Sequence, residues 1–239
     1  MRRGAIFVTV VAGLAFTPLW IADARAREPG GPSILLQALA PAQAQNRTVQ
    51  VDGIVARIEG DILTESELDE LSAYQMLVEG KSGSRDDLIR ELTDQWIVKN
   101  EAQTTRFARP TPDDITRALA ALAKQSSSPE AFHARMAEVG LTEAAVRREL
   151  ELEIYLDRFL DYKFRPAAQV DEKGIEDYYN GEFTEQAKSR KETVPPLDAV
   201  HADIRRLLTE RIISEHATKW LDETRERLRI EVASGAGDP

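Results

Sequence analysis

Two segments with a β-strand pattern lie at opposite ends of a chain whose middle predicts only helices. Residues 51–59 read VDGIVARIE before a turn at Gly60-Asp61, and residues 227–233 alternate apolar with charged side chains. This period of two is typical of a half-buried strand. Since an isolated strand leaves its backbone groups unpaired, we expect the two segments to pair across the whole intervening chain.

The charges in these segments predict the register of the pairing. In an antiparallel arrangement Arg57 lies opposite Glu231 and Glu59 lies opposite Arg229, whereas a parallel arrangement satisfies one pair alone. Closing so long a loop costs roughly 4–5 kcal/mol, while each apolar residue buried in the second segment returns roughly 1.5–3 kcal/mol. The strands therefore cannot gather the chain unaided, and we expect a mostly α-helical body that brings its ends together.

Capping residues indicate where the intervening helices begin. A Ser, Thr or Asp stands before most of the apolar periodic runs, often with a proline or an acidic residue in the first turn. Residues 180–196 are polar and include Pro195-Pro196, so we interpret them as a loop. The predicted helices start at Thr64, Ser84, Thr111, Ser128, Thr142, Asp171 and Leu197.

The N-terminal residues have the features of an export signal. Two arginines precede an apolar run of 19 residues, and Ala24-Arg25-Ala26 follows as a small-residue cleavage site. We interpret residues 1–26 as a cleaved signal peptide, which places the mature protein in the periplasm. An inner-membrane anchor that stays attached is the alternative, because an apolar run of this length also just spans a bilayer.

Residues 27–48 and 234–239 lack a regular apolar period. The first stretch is rich in Pro, Gly, Ala and Gln and predicts a flexible lead-in, and the second predicts a disordered tail. The folded domain is therefore expected over residues 49–233. Because the chain contains no cysteine, its core must form without disulfides.

The composition argues against several functions. A formal net charge of −10 disfavours nucleic acid as a partner, because its phosphates attract basic surfaces. The three histidines are too far apart in sequence to supply a helix-borne pair of zinc ligands, and no HExxH motif is present. Motifs for a nucleophilic serine or a phosphate-binding loop are also missing. We therefore assign no catalytic residue, no metal site and no cofactor.

Paired charges have a simpler interpretation than catalysis. Asp86-Asp87 and Asp113-Asp114 fall in first helical turns, where the helix dipole favours acidic residues. Arg147-Arg148 and Arg205-Arg206 are candidates for binding an anionic partner, although solvated helix faces are the favoured interpretation.

Aromatic residues and methionines are the candidates for an apolar contact surface. Some follow helical apolar stripes and are interpreted as core, namely Trp96, Tyr155, Phe159 and Trp220. Others stand near helix ends on less apolar segments, where an adaptable contact surface and core packing both remain open. These weak candidates for contact with an apolar client are Met76, Phe107, Phe132 and Met136.

Six successive segments carry a resemblance to a known family: VDGIVARIEGDILTESELDEL, DLIRELTDQWIVKNEAQ, PTPDDITRALAALAKQ, SPEAFHARMAEVGLTEAAVRRELELEIYLDRFLDYKF, VDEKGIEDYYNGEF and VHADIRRLLTERIISEHATKWLDETRERLRIEV. In this order they resemble SurA-type periplasmic chaperones, the N-terminal region of the SurA and parvulin foldases. The last segment is similar to the C-terminal element that completes the helical chaperone body in that family. The resemblance covers residues 51–233.

One part of the family pattern is missing. In SurA, parvulin-type prolyl isomerase modules lie between the helix that here contains Tyr178-Tyr179 and the C-terminal helix. The corresponding interval, residues 181–196, has 16 residues, against at least ~50 for a domain with its own core. We therefore expect a loop in place of the modules and no prolyl isomerase activity.

The resemblance implies an ATP-independent holdase that shields unfolded outer-membrane polypeptides in a concave apolar crevice. Transiting β-barrel strands expose apolar side chains, and a shallow apolar surface covers them without any chemistry. On this interpretation the protein is not an enzyme. Two alternatives stay open: a structural or adaptor protein that binds one folded partner at the cell envelope, and a degenerate peptidyl-prolyl isomerase.

Overall fold

The chain is mostly helical and carries a small antiparallel sheet. A computed structural model describes residues 52–233. The expected signal peptide (1–26), lead-in (27–48) and tail (234–239) lie outside the described residues. Between residues 52 and 233, no helix combines the length and the apolar character needed to cross a membrane.

The elements follow one another with short connections. A π-helical turn over Tyr179–Phe183 joins two of the helices. The strands are β1 (Ile54–Ile58), β2 (Asp61–Thr64) and β3 (Ile230–Val232), and the helices are α1 (Glu65–Glu79), α2 (Arg85–Thr104), α3 (Pro112–Ala123), α4 (Pro129–Glu138), α5 (Glu143–Phe164), α6 (Glu172–Tyr178), α7 (Thr184–Ser189) and α8 (Leu197–Arg225).

Side-chain caps explain why the helices begin where the sequence predicts. Thr64, Ser84 and Thr111 each accept a hydrogen bond from the backbone N–H three residues further on. An acidic side chain at that third position accepts in return from the cap's own backbone N–H, which completes a capping box. Simpler caps of the same kind are Ser128, Thr142 and Asp171. All these predicted helix starts are confirmed.

The predicted pairing of the two chain ends is confirmed, in the predicted antiparallel register. β1 is the central strand of the order β2-β1-β3, and Arg57 lies opposite Glu231 of β3. The backbone N–H of Glu59 donates to the carbonyl of Arg229 at 3.2 Å. β3 is shorter than the predicted strand, since it covers Ile230–Val232 alone.

The charges that predicted this register do not form the predicted ion pairs. Within the described residues Arg229 instead pairs with Glu231 on its own strand, with Nη2 and Oε1 2.7 Å apart. The Glu59 carboxylate accepts a hydrogen bond from the backbone N–H of Arg229 at 2.8 Å. These side chains are solvated, so little free energy favours a cross-strand ion pair over a neighbour on the same strand.

The sequence predicts a turn at Gly60-Asp61 followed directly by the helix start at Thr64, and this prediction is wrong, because Asp61–Thr64 form the strand β2. β2 pairs antiparallel with β1, and the connecting residues Glu59 and Gly60 have φ angles of 50° and 97°. A two-residue turn with positive φ at both positions matches the twist of the strands that it joins. Four residues that end in a helix cap are too few to show an alternating pattern.

The interval 181–196 is a second correction, because its first half is helical rather than a loop. The π-turn continues into α7, and the hydroxyl of Thr184 donates to the carbonyl of Tyr179 at 2.6 Å. The Tyr179 hydroxyl in turn donates to the carbonyl of Pro195 at 2.8 Å and ties the end of the interval back to its start. In α7 the buried residue is Ala187, so the sequence shows no apolar stripe.

Over residues 52–233 three apolar clusters form the core. The first lies between the sheet and helices α1 and α2, and Leu71 is central to it. The second joins α1 to α3, α4 and α5 around Val146. The third packs the C-terminal halves of α2, α5 and α8 around Phe159. Of the aromatics predicted to be core, Tyr155 and Phe159 are buried, while Trp96 and Trp220 are partly buried.

Candidate functional site

The structure does not bring the four candidate client contacts together. Phe132 and Met136 are each 4% exposed in the second core cluster, which agrees with core packing, one of the two interpretations left open for them. Phe107 is partly buried against the third cluster. Met76 is 40% exposed on α1. The pattern near helix ends therefore identified one exposed apolar residue out of four.

An apolar groove lies between α2 and the sheet, and we call it the β3 groove. Its volume is about 270 Å³, and it is open to solvent along one side. Val232 is 56% exposed at this groove, although the alternating pattern predicts an inward-facing, half-buried side chain. The lining residues are Asp86, Ile89, Arg90, Thr93, Arg225, Ile230 and Val232.

Ion pairs between α2 and α8 border the β3 groove. Arg225 Nε lies 2.7 Å from Asp94 Oδ1, and both side chains are less than a fifth exposed. Arg90 reaches across from α2 to Asp222 of α8, at 2.9 Å. Burial raises the pKa of Asp94 to about 6, even though the neighbouring Arg225 guanidinium lowers it. These contacts hold the last turn of α8, from which the chain continues into β3, against α2.

A second shallow groove, which we call the α6 groove, lies between α6 and α8. Its volume is about 260 Å³, and Val170, Leu208 and Ile212 form its apolar part. Arg211 crosses one side, where both of its terminal nitrogens lie 3.1 Å from the Glu182 carboxylate. The neighbouring residue Leu207 of α8 is 40% exposed.

The C-terminal end of α5 carries an exposed aromatic surface. Tyr162 is 64% exposed, and its ring centroid lies 5.3 Å from that of Phe107. Phe107 also packs edge-on against the buried Phe159, with ring centroids 5.5 Å apart. The Lys163 ammonium lies 4.8 Å from the centroid of the Trp220 ring. This surface offers planar apolar contacts with a charged rim.

Acidic side chains on α5 lie toward α1. The Tyr74 hydroxyl donates to Glu153 Oε2 at 2.7 Å, and burial raises the pKa of that hydroxyl. Burial and the nearby Glu70 raise the pKa of Glu149 to about 7. Glu149 and Glu153 therefore form an acidic surface on α5 that faces α1.

The paired charges have the structural roles that the sequence favours. Asp87 and Asp114 complete the capping boxes of α2 and α3. The Arg158 guanidinium holds the pKa of the Asp114 carboxyl well below its usual range. The arginines considered for an anionic partner all face carboxylates instead: Arg147–Glu143, Arg148–Glu70, Arg205–Glu172 and Arg206–Asp203.

The histidines and acids are not arranged as ligands. His201 Nε2 lies 2.7 Å from Glu172 Oε2, on the surface between α8 and α6. His133 contacts the carbonyl of Pro129 one turn earlier in α4. In the part of the chain that the structure describes, no three His, Asp or Glu side chains come together as a metal site.

The chain matches no model of a known protein family and no curated protein sequence. The fold and its surfaces are therefore the features that define it: a mostly helical body, closed by a sheet that joins both ends, with shallow apolar grooves beside α8.

The grooves are what the sequence analysis missed. The alternation over residues 228–232 was the available signal, because it marks Val232 as an inward-facing residue of the sheet. Whether another element covers that side chain depends on how α2 and α8 pack, and no local pattern records this.

Proposed function

We propose that the protein is an ATP-independent periplasmic holdase chaperone. On this proposal it binds unfolded exported or outer-membrane polypeptides and has no prolyl isomerase activity. The observation that carries the proposal is a pair of shallow, apolar grooves, one at the middle of α8 and one at its C-terminal end. At about 270 and 260 Å³, each is smaller than the roughly 300–1,000 Å³ typical of small-molecule pockets. Each instead suits one or two side chains of a polypeptide.

The separation of the grooves favours a chain as the ligand. Ile212 borders the α6 groove and Arg225 borders the β3 groove. The length of α8 between them is roughly 20 Å at a rise of 1.5 Å per residue. An extended segment of about six residues covers the same distance. Ile212 and Arg225 lie on different faces of α8 at about 100° per residue, so a polypeptide that occupies both grooves must be longer than this and pass around the helix.

Weak contacts at two sites also account for reversible holding. Burial of a single aliphatic side chain yields roughly 1.5–3 kcal/mol, which is too little for stable capture. A second contact on the same chain is intramolecular and raises the overall affinity by about 10²–10⁴. A client that folds withdraws its apolar side chains from both grooves and is released.

Light scattering by an unfolded porin tests the proposal. At near-stoichiometric concentration the protein is expected to suppress porin aggregation after dilution from urea. Val232→Asp places a charge in the β3 groove and is expected to weaken suppression about threefold to tenfold. Ile62→Asp is the matched control, because Ile62 is similarly exposed, at 44%, and lies on the opposite face of the sheet.

Two outcomes would contradict the proposal. Full aggregation of the porin in the presence of the folded protein would favour an adaptor that binds one folded partner. Acceleration of a proline-limited refolding reaction would instead favour a degenerate prolyl isomerase.

A further inference from the structure

We propose that the outer edge of β3 is a strand-addition site for an extended polypeptide. In this arrangement the incoming segment pairs with the backbone of Ile230 and Val232 and places alternate side chains in the β3 groove. The inference rests on the proposed function, since it assigns the mode by which an unfolded client is held.

The register of the sheet determines which backbone groups face outward. Glu59 donates to the Arg229 carbonyl and Ala233 donates to the Val55 carbonyl. In antiparallel pairing hydrogen-bonded pairs alternate along the strand, so residues 229, 231 and 233 direct their backbone groups toward β1. The N–H and C=O groups of Ile230 and Val232 therefore point away from β1. Among the described residues no strand pairs with this edge.

Side chains at the same two residues form the adjoining groove. Ile230 and Val232 lie opposite Ile58 and Ala56, which are both fully buried. They consequently face the same side of the sheet as the core, toward Ile89 of α2. A strand added beside β3 would direct every second side chain into this groove and the others to solvent.

These features specify the occupant. Donors and acceptors that alternate along an edge are satisfied together by another extended backbone. The groove requires apolar side chains at alternate positions, which is the pattern of a β-barrel strand. The opposite edge of the sheet, formed by β2, is less suitable. In β2 only Ile62 directs its backbone N–H and C=O away from β1 before Thr64 begins α1.

A second copy of the chain is a poorer occupant than a flexible segment. Each β3 strand has three residues, and two such strands bury far less than the roughly 1,200 Å² of a stable interface between folded proteins. An unfolded segment can also insert its side chains into the groove, which a rigid partner strand cannot do as freely.

Proline substitution in the full-length protein tests the backbone contact. Val232→Pro removes one outward N–H and leaves the hydrogen bonds to β1 in place, as proline does on natural edge strands. Val232→Thr is the matched control, because it keeps the N–H and the β-branched shape. The probe is a fluorescein-labelled porin-strand peptide of about ten residues. Its Kd, measured by anisotropy, is expected to rise about tenfold or more in V232P and less than about threefold in V232T.

Amide hydrogen exchange in the unsubstituted protein provides a second measurement that needs no variant. Peptide binding is expected to slow exchange at the N–H groups of Ile230 and Val232. The N–H groups of Glu231 and Ala233, which already face β1, are expected to change little.

Failure of this inference differs from failure of the proposed function. If the protein suppresses porin aggregation while V232P binds the peptide as the unsubstituted protein does, and exchange at residues 230 and 232 is unchanged, clients bind elsewhere and the inference is overturned. If neither suppression nor peptide binding occurs, the proposed function fails and the inference fails with it. A dimer that dissociates in V232P would assign the edge to a second copy and would also overturn it.

Discussion

Several carboxyl groups between α1, α2 and α5 hold protons near neutral pH. Glu91 accepts a hydrogen bond from Gln75 Nε2 at 2.7 Å. Burial, together with the nearby carboxyl groups of Glu79, Asp94 and Glu149, raises the pKa of Glu91 to about 7. The pKa of an unfolded glutamate is about 4.3, so the folded state binds more protons than the unfolded state between this pH and about 7. Stability is therefore expected to fall as the pH rises from about 4 to about 7.

Other carboxyl groups act in the opposite direction at lower pH. Hydrogen bonds from Ser84 hold the pKa of Asp87 below its ordinary value, and those from His201 and Arg205 do the same for Glu172. A group whose folded pKa is lowered stabilises the fold above its unfolded pKa and loses that contribution as the pH falls below about 4. The two sets together place maximum stability near pH 4, where the two ranges meet.

Substitution of Glu91 measures the contribution of this one carboxyl group to the pH dependence of stability. Glu91→Gln is expected to raise the melting temperature by about 2–4 °C at pH 8, because it removes a carboxylate that is costly to ionise, and to leave it nearly unchanged at pH 4, where Glu91 is largely protonated in the folded and the unfolded state. Glu138→Gln is the control, since Glu138 is exposed at the end of α4 and loses the same charge. Equal shifts at the two pH values would show that Glu91 is not protonated preferentially in the fold.

Residue roles that depend on local chain geometry could be read from the sequence, and those that depend on packing could not. Thr64 and Ser84 were recognised as caps because their partners are three residues away. Phe132 and Met136 lie on a polar segment, and their burial depends on contacts with α1 and α5. The raised pKa of Glu91 has the same origin in neighbouring helices.

At the scale of elements, β3 connects the last helix to the beginning of the fold. Ile230 and Leu228 pack on the first core cluster beside β1. Arg225 at the preceding turn pairs with Asp94 of α2. The end of the chain is thereby joined to both the sheet and α2.

Deletion of residues 227–239 tests this role. The truncated protein is expected to melt in a single transition at least about 5 °C lower, because the buried face of β1 loses its cover and the first cluster is shared by α1 and α2. A shorter deletion of residues 234–239, which leaves β3 intact, is the control. Unchanged melting by calorimetry after the longer deletion would show that β3 does not stabilise the body.

Element length decided which elements the sequence revealed. α5 and α8 were predicted because they contain several apolar repeats and a defined beginning. β2 and α7 have four and six residues, so neither shows a full period. β2 forms because the turn at Gly60 returns the chain along β1, and α7 forms because the preceding π-turn continues into it.

At the scale of the whole molecule, the mostly helical class and the closure of both ends in one sheet followed from the sequence. Opposite charges at residues 57 and 231 identified the correct register, even though the side chains do not pair as expected. The grooves beside α8 did not follow, because they are spaces left between elements. The proposed binding of unfolded polypeptides depends on these grooves. It also depends on the pairing of β1 with β3, which forms the β3 groove.

A single engineered disulfide tests that closure most directly. The chain has no cysteine, so a double variant contains one possible intramolecular disulfide. Ala56 lies directly opposite Val232 on the inner face of the sheet, where side chains of such pairs are close enough to be bridged. The control pairs Ala56 with Glu231, whose side chain lies on the other face. The account predicts that A56C/V232C oxidises nearly completely under mild conditions while A56C/E231C stays reduced, as measured by thiol titration of the monomer; equal oxidation of the two variants, or none in either, would contradict it.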